Sequence, residues 1–389
     1  MGLRIFKKVL AILSVVLCCF CIISCTNGRA VPADSDESSS KIELPETDSE
    51  SYSNHLYEPV KQYDESSFAA YRYPSGDSSL TDEEKNTLVY YDFSSMTYSE
   101  ISVKEIKRTS TEGVFMNPSP IIVEDRIYVF QQRYYKAPAV VEIYTDTDNK
   151  VFVYSTETGT SEVFDLPENY YFEGMLSSGL TDGNVVLIRG CEKLEDGSVE
   201  DAVFQIDLDD LSVEKSDIAL NDITINRKLF EATGGRTQYM NLDGSKRFAF
   251  TSGNSNDGIL KWILYEAVYG TDDIRVITDD LYPDGYGATM NNSYVFDDQY
   301  AYFTGINIEK QTAADFVLDL ADGQATIINE QDDPEDTMFL TVRGATEDKL
   351  ILTQEYNLLN NSVDPEAIAV VEKSDYLTGV FEPEFFTKG

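Results

Sequence analysis

The sequence predicts an all-β fold, and three features support this prediction. From about residue 51 onward the chain consists of short runs rich in Val, Ile, Tyr, Phe and Thr, which are residues that favour strands. These runs show no amphipathic helical period. They are separated by Asp-Gly dipeptides, which accept the positive φ angles of tight turns and which occur at 182–183, 196–197, 243–244, 257–258, 284–285 and 322–323. Antiparallel hairpins should therefore dominate the topology.

The strand runs form a repeat with two parts. The first part is a turn followed by a compact apolar strand, and it recurs at 123–130, 181–188, 242–250, 296–303 and 346–352. The second part is a more exposed hairpin, which follows at 151–166, 202–218, 262–277, 315–328 and 368–381. A sixth copy opens the domain at 68–73 and 88–103.

Four strands repeated at a spacing of roughly 50–60 residues predict a β-propeller, in which small sheets stand radially around a central channel. Neighbouring blades cover both faces of each inner strand, so these strands should be continuously apolar, as at 127–130 and 185–188. Six four-stranded blades fill the domain, with a seven-bladed ring or a β-sandwich as alternatives. Residues 379–386 are predicted to close the ring by pairing with the segment around 57–63.

The N-terminus predicts export and lipidation. Basic residues precede an apolar run over 9–20, which has the length of the hydrophobic region of a signal peptide. The following Ile-Ile-Ser-Cys at 22–25 resembles a bacterial lipobox, whose cysteine receives diacylglycerol and becomes the first residue of the mature protein. Residues 1–24 are thus predicted to be a lipoprotein signal peptide and Cys25 the lipidation site. An ordinary cleaved signal peptide and an uncleaved anchor are the alternatives.

The domain is expected to stand on a tether. Residues 25–50 are rich in Ser, Asp, Glu and Pro, and such a segment buries too little apolar surface to become ordered. About 25 flexible residues span roughly 25–30 Å. The propeller domain then covers 51–389. Because anionic lipid headgroups repel so acidic a protein, the lipid on Cys25 must hold it at the extracytoplasmic face of the cell membrane.

Composition excludes several kinds of function. The chain has 69 acidic and 30 basic residues and a formal net charge of −39, so it cannot track the phosphates of a nucleic acid. The single histidine, His55, and Cys191, the one cysteine beyond residue 25, leave few routes to imidazole catalysis, zinc binding or disulfides. We therefore predict no catalytic residue, no metal ligands and no cofactor, although so acidic a surface should bind Ca²⁺ weakly.

Aromatic side chains are the candidates for ligand contact. The chain has 25 Tyr and 20 Phe, and their rings can stack on sugars or pack on apolar groups. Six tyrosines in predicted blade connections form the candidate set: Tyr134, Tyr135, Tyr170, Tyr171, Tyr282 and Tyr286. The alternative for each of them is packing within or between blades.

The lipobox and the blade repeat together resemble bacterial lipoproteins with a six-bladed, TolB-like propeller, many of which are uncharacterised products of Gram-positive bacteria. The resemblance covers roughly residues 51–389. It implies a membrane-anchored binding module for an envelope protein, peptide or glycan, and it transfers no catalytic residue. The alternative function is a carboxylate-dependent polysaccharide hydrolase or lyase, which would need two close acidic groups with opposed pKa shifts.

Overall fold

A computed structural model shows the architecture of the domain. The residues it describes are 56, 58–59, 61–72, 81, 86–106, 109–111, 114–116, 120–131, 149–172, 180–218, 225–254, 260–271, 273–288, 294–307, 309–331, 339–355 and 365–389. The predicted signal peptide, Cys25 and the tether lie outside the described residues, as do His55, Tyr134 and Tyr135. Among the helices of the described residues, none combines the length and the hydropathy that crossing a membrane requires.

The fold is built from six small sheets, and each supplies one blade of a propeller. Blade 1 contains β2 (Ser67–Tyr71), β3 (Thr87–Asp92) and β4 (Thr97–Ser102). Blade 2 contains β7 (Ile121–Val123), β8 (Arg126–Phe130), β9 (Lys150–Ser155) and β10 (Thr160–Asp165). Blade 3 contains β12 (Leu180–Asp182), β13 (Val185–Lys193), β14 (Val199–Asp207) and β15 (Val213–Ser216), with β11 (Tyr170–Phe172) paired to β13.

The second half of the chain repeats this arrangement. Blade 4 contains β16 (Tyr239–Met240), β17 (Lys246–Asn254), β18 (Leu260–Val268) and β19 (Ile274–Thr278). Blade 5 contains β20 (Gly287–Ala288), β21 (Val295–Phe296), β22 (Tyr300–Asn307), β23 (Thr312–Asp319) and β24 (Ala325–Gln331). Blade 6 contains β25 (Phe339–Ala345), β26 (Lys349–Glu355), β27 (Ile368–Glu372) and β28 (Glu384–Phe385).

The prediction of an all-β, six-bladed propeller is confirmed. The turn-and-strand units fall on the first two strands of blades 2 to 6, and the first four exposed hairpins fall on the last two strands of blades 2 to 5. The Asp-Gly turns behave as expected where they are described, since Gly197 and Gly323 have φ angles of 83° and 71°. A separate two-stranded sheet is formed by β5 (Thr109–Thr111) and β6 (Val114–Met116).

Among the described residues, two short α-helices and two 3₁₀ helices, at Pro283–Gly285 and Pro365–Ala367, depart from the prediction of a chain without helices. The helix α1 (Arg227–Thr233) lies between blades 3 and 4 in the sequence; the Asn226 side chain accepts a hydrogen bond from the Leu229 N–H, and Gly234 ends the helix with a φ of 67°. The helix α2 (Lys373–Tyr376) follows β27, so 368–381 is not the hairpin that we predicted. Helices of one or two turns are too short to show an amphipathic period, and of these two α-helices only α1 has cap residues that a sequence can reveal, Asn226 and Gly234.

The last residues of the chain close the ring, and the predicted pairing of 379–386 with 57–63 is wrong. The strand β28 pairs with β27 of blade 6, and β29 (Thr387–Lys388) pairs in parallel with β4 of blade 1. We call residues 384–388 the terminal strap, because they join blades 6 and 1. Phe386, in the middle of the strap, is buried with its ring 5.1 Å from that of Tyr91. The first described strand, β1 (Glu58–Pro59), pairs instead with β12 of blade 3.

Candidate functional site

The described residues between Glu58 and Ser66 pass along the inner strands of several blades, and we call them the N-terminal clasp. Glu58–Pro59 adds a short antiparallel strand to β12 of blade 3. The Lys61 carbonyl then accepts a hydrogen bond of 3.1 Å from the Ile122 N–H on β7 of blade 2, and the Gln62 carbonyl accepts one of 2.8 Å from the Ala69 N–H on β2 of blade 1. The clasp therefore contacts the first strands of blades 3, 2 and 1 in turn.

The clasp continues onto blade 6. A Cβ atom on Gly344 would lie 2.8 Å from the Tyr63 ring, so β25 needs glycine at this position. Burial raises the pKa of Tyr63, which also hydrogen bonds with the backbone of Ala345. The backbone N–H of Glu347 donates a hydrogen bond of 2.7 Å to Oε1 of Glu65. Four of the six blades are thus connected from the inside by one short segment.

A cleft of about 280 Å³ lies between the clasp and the inner turns of blades 4, 5 and 6. Its lining is dominated by acidic side chains from all of these elements, accompanied by Lys61 and Lys373. The carboxylates are Glu58, Asp64, Glu65, Asp243, Asp297, Asp298 and Glu347. The cleft is therefore an anionic recess at the end of the channel where the inner turns meet.

Asp297 is the most firmly held of these carboxylates. It is buried, and its Oδ1 accepts backbone hydrogen bonds from Gln299 at 2.8 Å and from Tyr300 at 2.6 Å. Its Oδ2 accepts a hydrogen bond of 2.8 Å from the hydroxyl of Tyr302, and lies 2.8 Å from Nζ of Lys373. Burial and the nearby charge of Asp297 raise the pKa of Tyr302, so this hydroxyl stays protonated and donates. The ion pair joins blade 5 to α2 of blade 6.

Asp243 and Asp298 are fixed by a second network, which joins blades 4 and 5. Nδ2 of Asn241 donates to Oδ1 of Asp243 and to Oδ1 of Asp298, both at 2.7 Å. Burial alone would raise the pKa of Asp243, but hydrogen bonds from Ser245 and Asn241 outweigh it and the pKa is lowered. These carboxylates therefore present fixed negative charge and acceptor atoms to the cleft, which suits basic or hydrogen-bond-donating groups of a ligand.

The alternative function, carboxylate catalysis, needs a carboxyl with a raised pKa beside one that stays ionised. Within the part of the chain that the structure describes, burial raises the pKa of the Asp315 carboxyl, which lies within β23 and does not line the cleft. Among the described residues, no group of three or more His, Cys, Asp and Glu side chains could hold a metal ion.

The described tyrosines of the candidate set lie in the blades. Tyr171, Tyr282 and Tyr286 are buried, while Tyr170 is half-buried with its ring 4.4 Å from that of Phe204. The hydroxyl of Tyr282 lies 2.8 Å from that of Tyr294, and the hydroxyl of Tyr286 lies 2.9 Å from Oγ1 of Thr312. In these positions the four tyrosines pack within or between blades, which is the alternative to ligand contact that the sequence left open. None of the four lines the cleft. Their contact with a ligand stays a prediction.

The residues that line the cleft were not among the predicted site residues, although a signal for some of them exists. Acidic residues occur in the inner turns of blades 4, 5 and 6, at 243, 297–298 and 347–348. The first turns of all blades lie at the same end of a propeller, so acidic residues that recur at this point of the repeat must converge. The acidic residues of the clasp precede the repeat, so the repeat does not indicate that they line the same cleft.

Comparisons with known proteins show distant structural similarity and no sequence family. No protein-family model matches the chain, and no curated protein is similar to it. TolB from Acinetobacter baumannii aligns with 83% of this chain and 64% of its own length, at 12% identity and a TM-score of 0.34. The β-propeller domain of the Trilobed protease from Pyrococcus furiosus, for which an open velcro topology is described, aligns with 85% of this chain and 98% of its own length, at 11% identity and a TM-score of 0.36.

A third structure, a puromycin-hydrolyzing peptidase from Mycobacterium tuberculosis, aligns with 86% of this chain at 9% identity and a TM-score of 0.44. The chain spans 54% of that peptidase and 64% of TolB. At such identities the likeness concerns the fold alone. The class of the protein, a six-bladed β-propeller with TolB-like structural neighbours, rests on the blade topology described above.

Proposed function

We propose that this protein is a lipid-anchored, extracytoplasmic binding module, and that its propeller binds an envelope protein, peptide or glycan without chemistry of its own. The observation that carries the proposal is the cleft, where the clasp and three blades bring charged side chains together. Because Asp297 and Asp298 are held by hydrogen bonds across blade boundaries, they lose little conformational freedom when a ligand binds. A ligand segment that carries ammonium or guanidinium groups complements this charge.

Binding at the cleft is tested with the full-length mature protein and a library of Lys- and Arg-containing peptides. The variant Glu58→Gln/Glu347→Gln removes two charges from the rim of the cleft. Its matched control, Glu162→Gln/Glu214→Gln, removes two exposed charges from the outer strands β10 and β15. An exposed ion pair between a peptide and either glutamate contributes up to about 1 kcal/mol to the free energy of binding. The cleft variant lacks both pairs and should therefore bind selected peptides about tenfold more weakly. The control should bind as the wild type does.

Two results would count against the proposal. If both double variants weaken binding equally, the peptides respond to the overall negative charge and not to the cleft. If neither the peptide library nor a pull-down from native envelope recovers a ligand, the propeller is not a binding module of this kind.

The lipid anchor is tested separately. Cells expressing the full-length chain are fed an alkyne fatty acid, and the mature N-terminus is analysed by mass spectrometry. We expect label in the wild type and in Cys191→Ala, whose thiol is buried in the domain, and no label in Cys25→Ala. The Cys25→Ala protein should also leave the membrane fraction. An unmodified mature terminus in the wild type would exclude the anchor without bearing on the cleft.

A further inference from the structure

The six joints between neighbouring blades differ in the amount of apolar side chain that they bury. Single clusters of nine to twelve buried residues fill the joints 1–2, 2–3, 4–5, 5–6 and 6–1. Between blades 3 and 4 the described residues form two clusters with three buried residues each. Since the free energy of packing scales with the apolar area removed from water, this joint is the weakest among the described residues. We call it the seam.

The two clusters of the seam belong to different elements. One consists of Leu180, Leu187 and Val203 of blade 3, with the half-buried Met240 and Tyr269 of blade 4 packed against them. The other consists of Leu229 of α1 with Ala249 and Ala267, so that α1 covers these two small residues of blade 4. The buried members of the two clusters include no aromatic side chain, whereas stacked or edge-on rings occupy the joints 2–3 and 4–5.

A buried cation lies on the same face of blade 4. Successive side chains of β17 point to opposite faces of the blade. Arg247 therefore points to the same face as Ala249, toward blade 3, whereas Phe248 points toward blade 5. Its guanidinium donates to the carbonyl of Gly244 and lies 5.5 Å from the centre of the Tyr269 ring. Burial lowers the pKa of Arg247 to about 10, which shows that its charge is poorly solvated in the closed ring. Exposure of this side chain to water would recover hydration free energy.

The other joints carry specific connections. The Tyr128 hydroxyl of blade 2 donates to the Leu208 carbonyl of blade 3 at 3.1 Å. Nη2 of Arg275 in blade 4 donates at 2.9 Å to the carbonyl of Leu320, which follows β23 of blade 5. The Asp297 pair joins blades 5 and 6, the terminal strap joins 6 and 1, and the clasp joins 3, 2, 1 and 6. The blades thus form a connected arc in the order 3, 2, 1, 6, 5, 4.

We propose that the propeller ring opens at the seam between blades 3 and 4, and not at the joint between blades 6 and 1. Opening there separates the two ends of the arc and leaves the clasp and the terminal strap in place. It exposes Leu180 and Leu187 to water and gives the channel a lateral entrance. Side chains that face the other joints stay buried in the open state. The inference is independent of the ligand proposed above.

Native-state thiol labelling tests this opening, because two neighbouring residues of β13 face different joints. Leu187 is 1% exposed and faces the seam, whereas Ile188 is 3% exposed and faces blade 2. The full chain carrying Leu187→Cys or Ile188→Cys is treated with iodoacetamide, and peptide mass spectrometry measures alkylation at each site. We expect the thiol at 187 to react at least about tenfold faster, because the seam opens without global unfolding. Its rate should also depend weakly on urea, whereas the thiol at 188 should follow the steep dependence of global unfolding.

A second pair of variants makes the result independent of any one substitution. Leu180 of β12 faces the seam and Val186 of β13 faces blade 2, and both are 0% exposed. Leu180→Cys should be alkylated faster than Val186→Cys by a similar factor. Equal rates and equal urea dependence within both pairs would show that labelling occurs through global unfolding, and this would overturn the proposal. Faster labelling at 188 and 186 than at 187 and 180 would place the opening at another joint and overturn it as well.

Discussion

Asp315 offers the sharpest test of the packing described above. Its side chain is 2% exposed on β23, and it hydrogen bonds with Asn329 on the neighbouring strand. Burial raises the pKa of this carboxyl from 3.8 to about 8, although the hydrogen bond with Asn329 opposes the change. At neutral pH the folded protein therefore holds Asp315 as the neutral acid, while the unfolded chain ionises it. The proton bound only in the folded state makes the free energy of unfolding depend on pH.

The sign and the size of the effect follow from this difference. The stability associated with protonated Asp315 is fully present below about pH 4 and is lost as the pH rises toward 8, where the folded state also begins to ionise. One pKa unit corresponds to about 1.4 kcal/mol, so the shift of the pKa from 3.8 to about 8 corresponds to about 6 kcal/mol in the free energy of unfolding. About 4 kcal/mol of this stability has been lost when the pH reaches 7. The substitution Asp315→Asn removes the titration and keeps an acceptor for Asn329. We expect the variant to be more stable than the wild type at pH 7 by up to about 4 kcal/mol.

The assay is urea unfolding of the wild type and of Asp315→Asn at pH 5, 6, 7 and 8. Every other titrating group is common to both proteins, so the difference between their free energies of unfolding isolates position 315 even in so acidic a chain. This difference should grow by about 1.4 kcal/mol per pH unit in favour of Asp315→Asn. A difference that stays constant from pH 5 to pH 8 would refute the reasoning, because it would mean that the carboxyl ionises in place.

Three further substitutions test close contacts and joints by the urea midpoint of unfolding. A Cβ atom at Gly190 would lie 2.0 Å from a backbone carbonyl of β11, so Gly190→Ala should destabilise by about 1–3 kcal/mol. Gly253→Ala, which meets no described atom within 4 Å, is its control. Phe386→Ala should lower the free energy of unfolding by about 3–5 kcal/mol, because this ring holds the terminal strap in a buried site. Lys373→Met should lower it by about 3 kcal/mol, because Asp297 is then buried without its cation. The double variant Lys373→Met/Asp297→Asn should recover part of this lost stability.

Each of these expectations has a result that contradicts it. Equal midpoints for the two glycine variants would mean that β11 and β13 do not approach closely. A loss below about 1 kcal/mol for Phe386→Ala would show that the strap contributes little to closure. The absence of any recovery in the double variant at 373 and 297 would show that the ion pair is not what Lys373→Met disrupts.

The blades could be predicted from the sequence because their signals are local. The inner part of β13, at 185–188, is apolar because blades cover both of its faces, and the Asp182-Gly183 turn forms the hairpin that joins it to β12. The two-residue strands carry no such pattern. The pairing of Glu58 with Thr181 joins positions more than a hundred residues apart, and only the assembled ring brings them together. Ring closure was therefore the part of the fold that sequence reasoning missed.

The candidate site could likewise be predicted only in part from the sequence. The acidic inner turns are visible in the sequence, but which carboxylates are fixed depends on contacts between blades, such as that of Asn241 with Asp298. The predicted tyrosines were visible in the sequence, but the groups that surround them were not. A ring in a connection can serve a ligand or a blade joint, and residue type does not distinguish these roles. Tyr282 contacts Phe303 and Phe316 of blade 5, and its environment became evident only from the packing of β22 on β23.

The distribution of strong and weak joints has a physical reason in the connectivity of the chain. Neighbouring blades are joined by a connecting segment everywhere except between blades 6 and 1, which are the last and the first blade of the domain. That joint needs noncovalent closure, which the terminal strap and the contact of Glu65 with Glu347 supply. Blades 3 and 4 stay linked by the segment between Ser216 and Tyr239 whether or not their faces are in contact. The entropy of closing a loop rises only slowly with its length, so even this connection of 22 residues keeps the two faces at a high effective concentration. A modest apolar contact therefore suffices for the seam to close again after it opens.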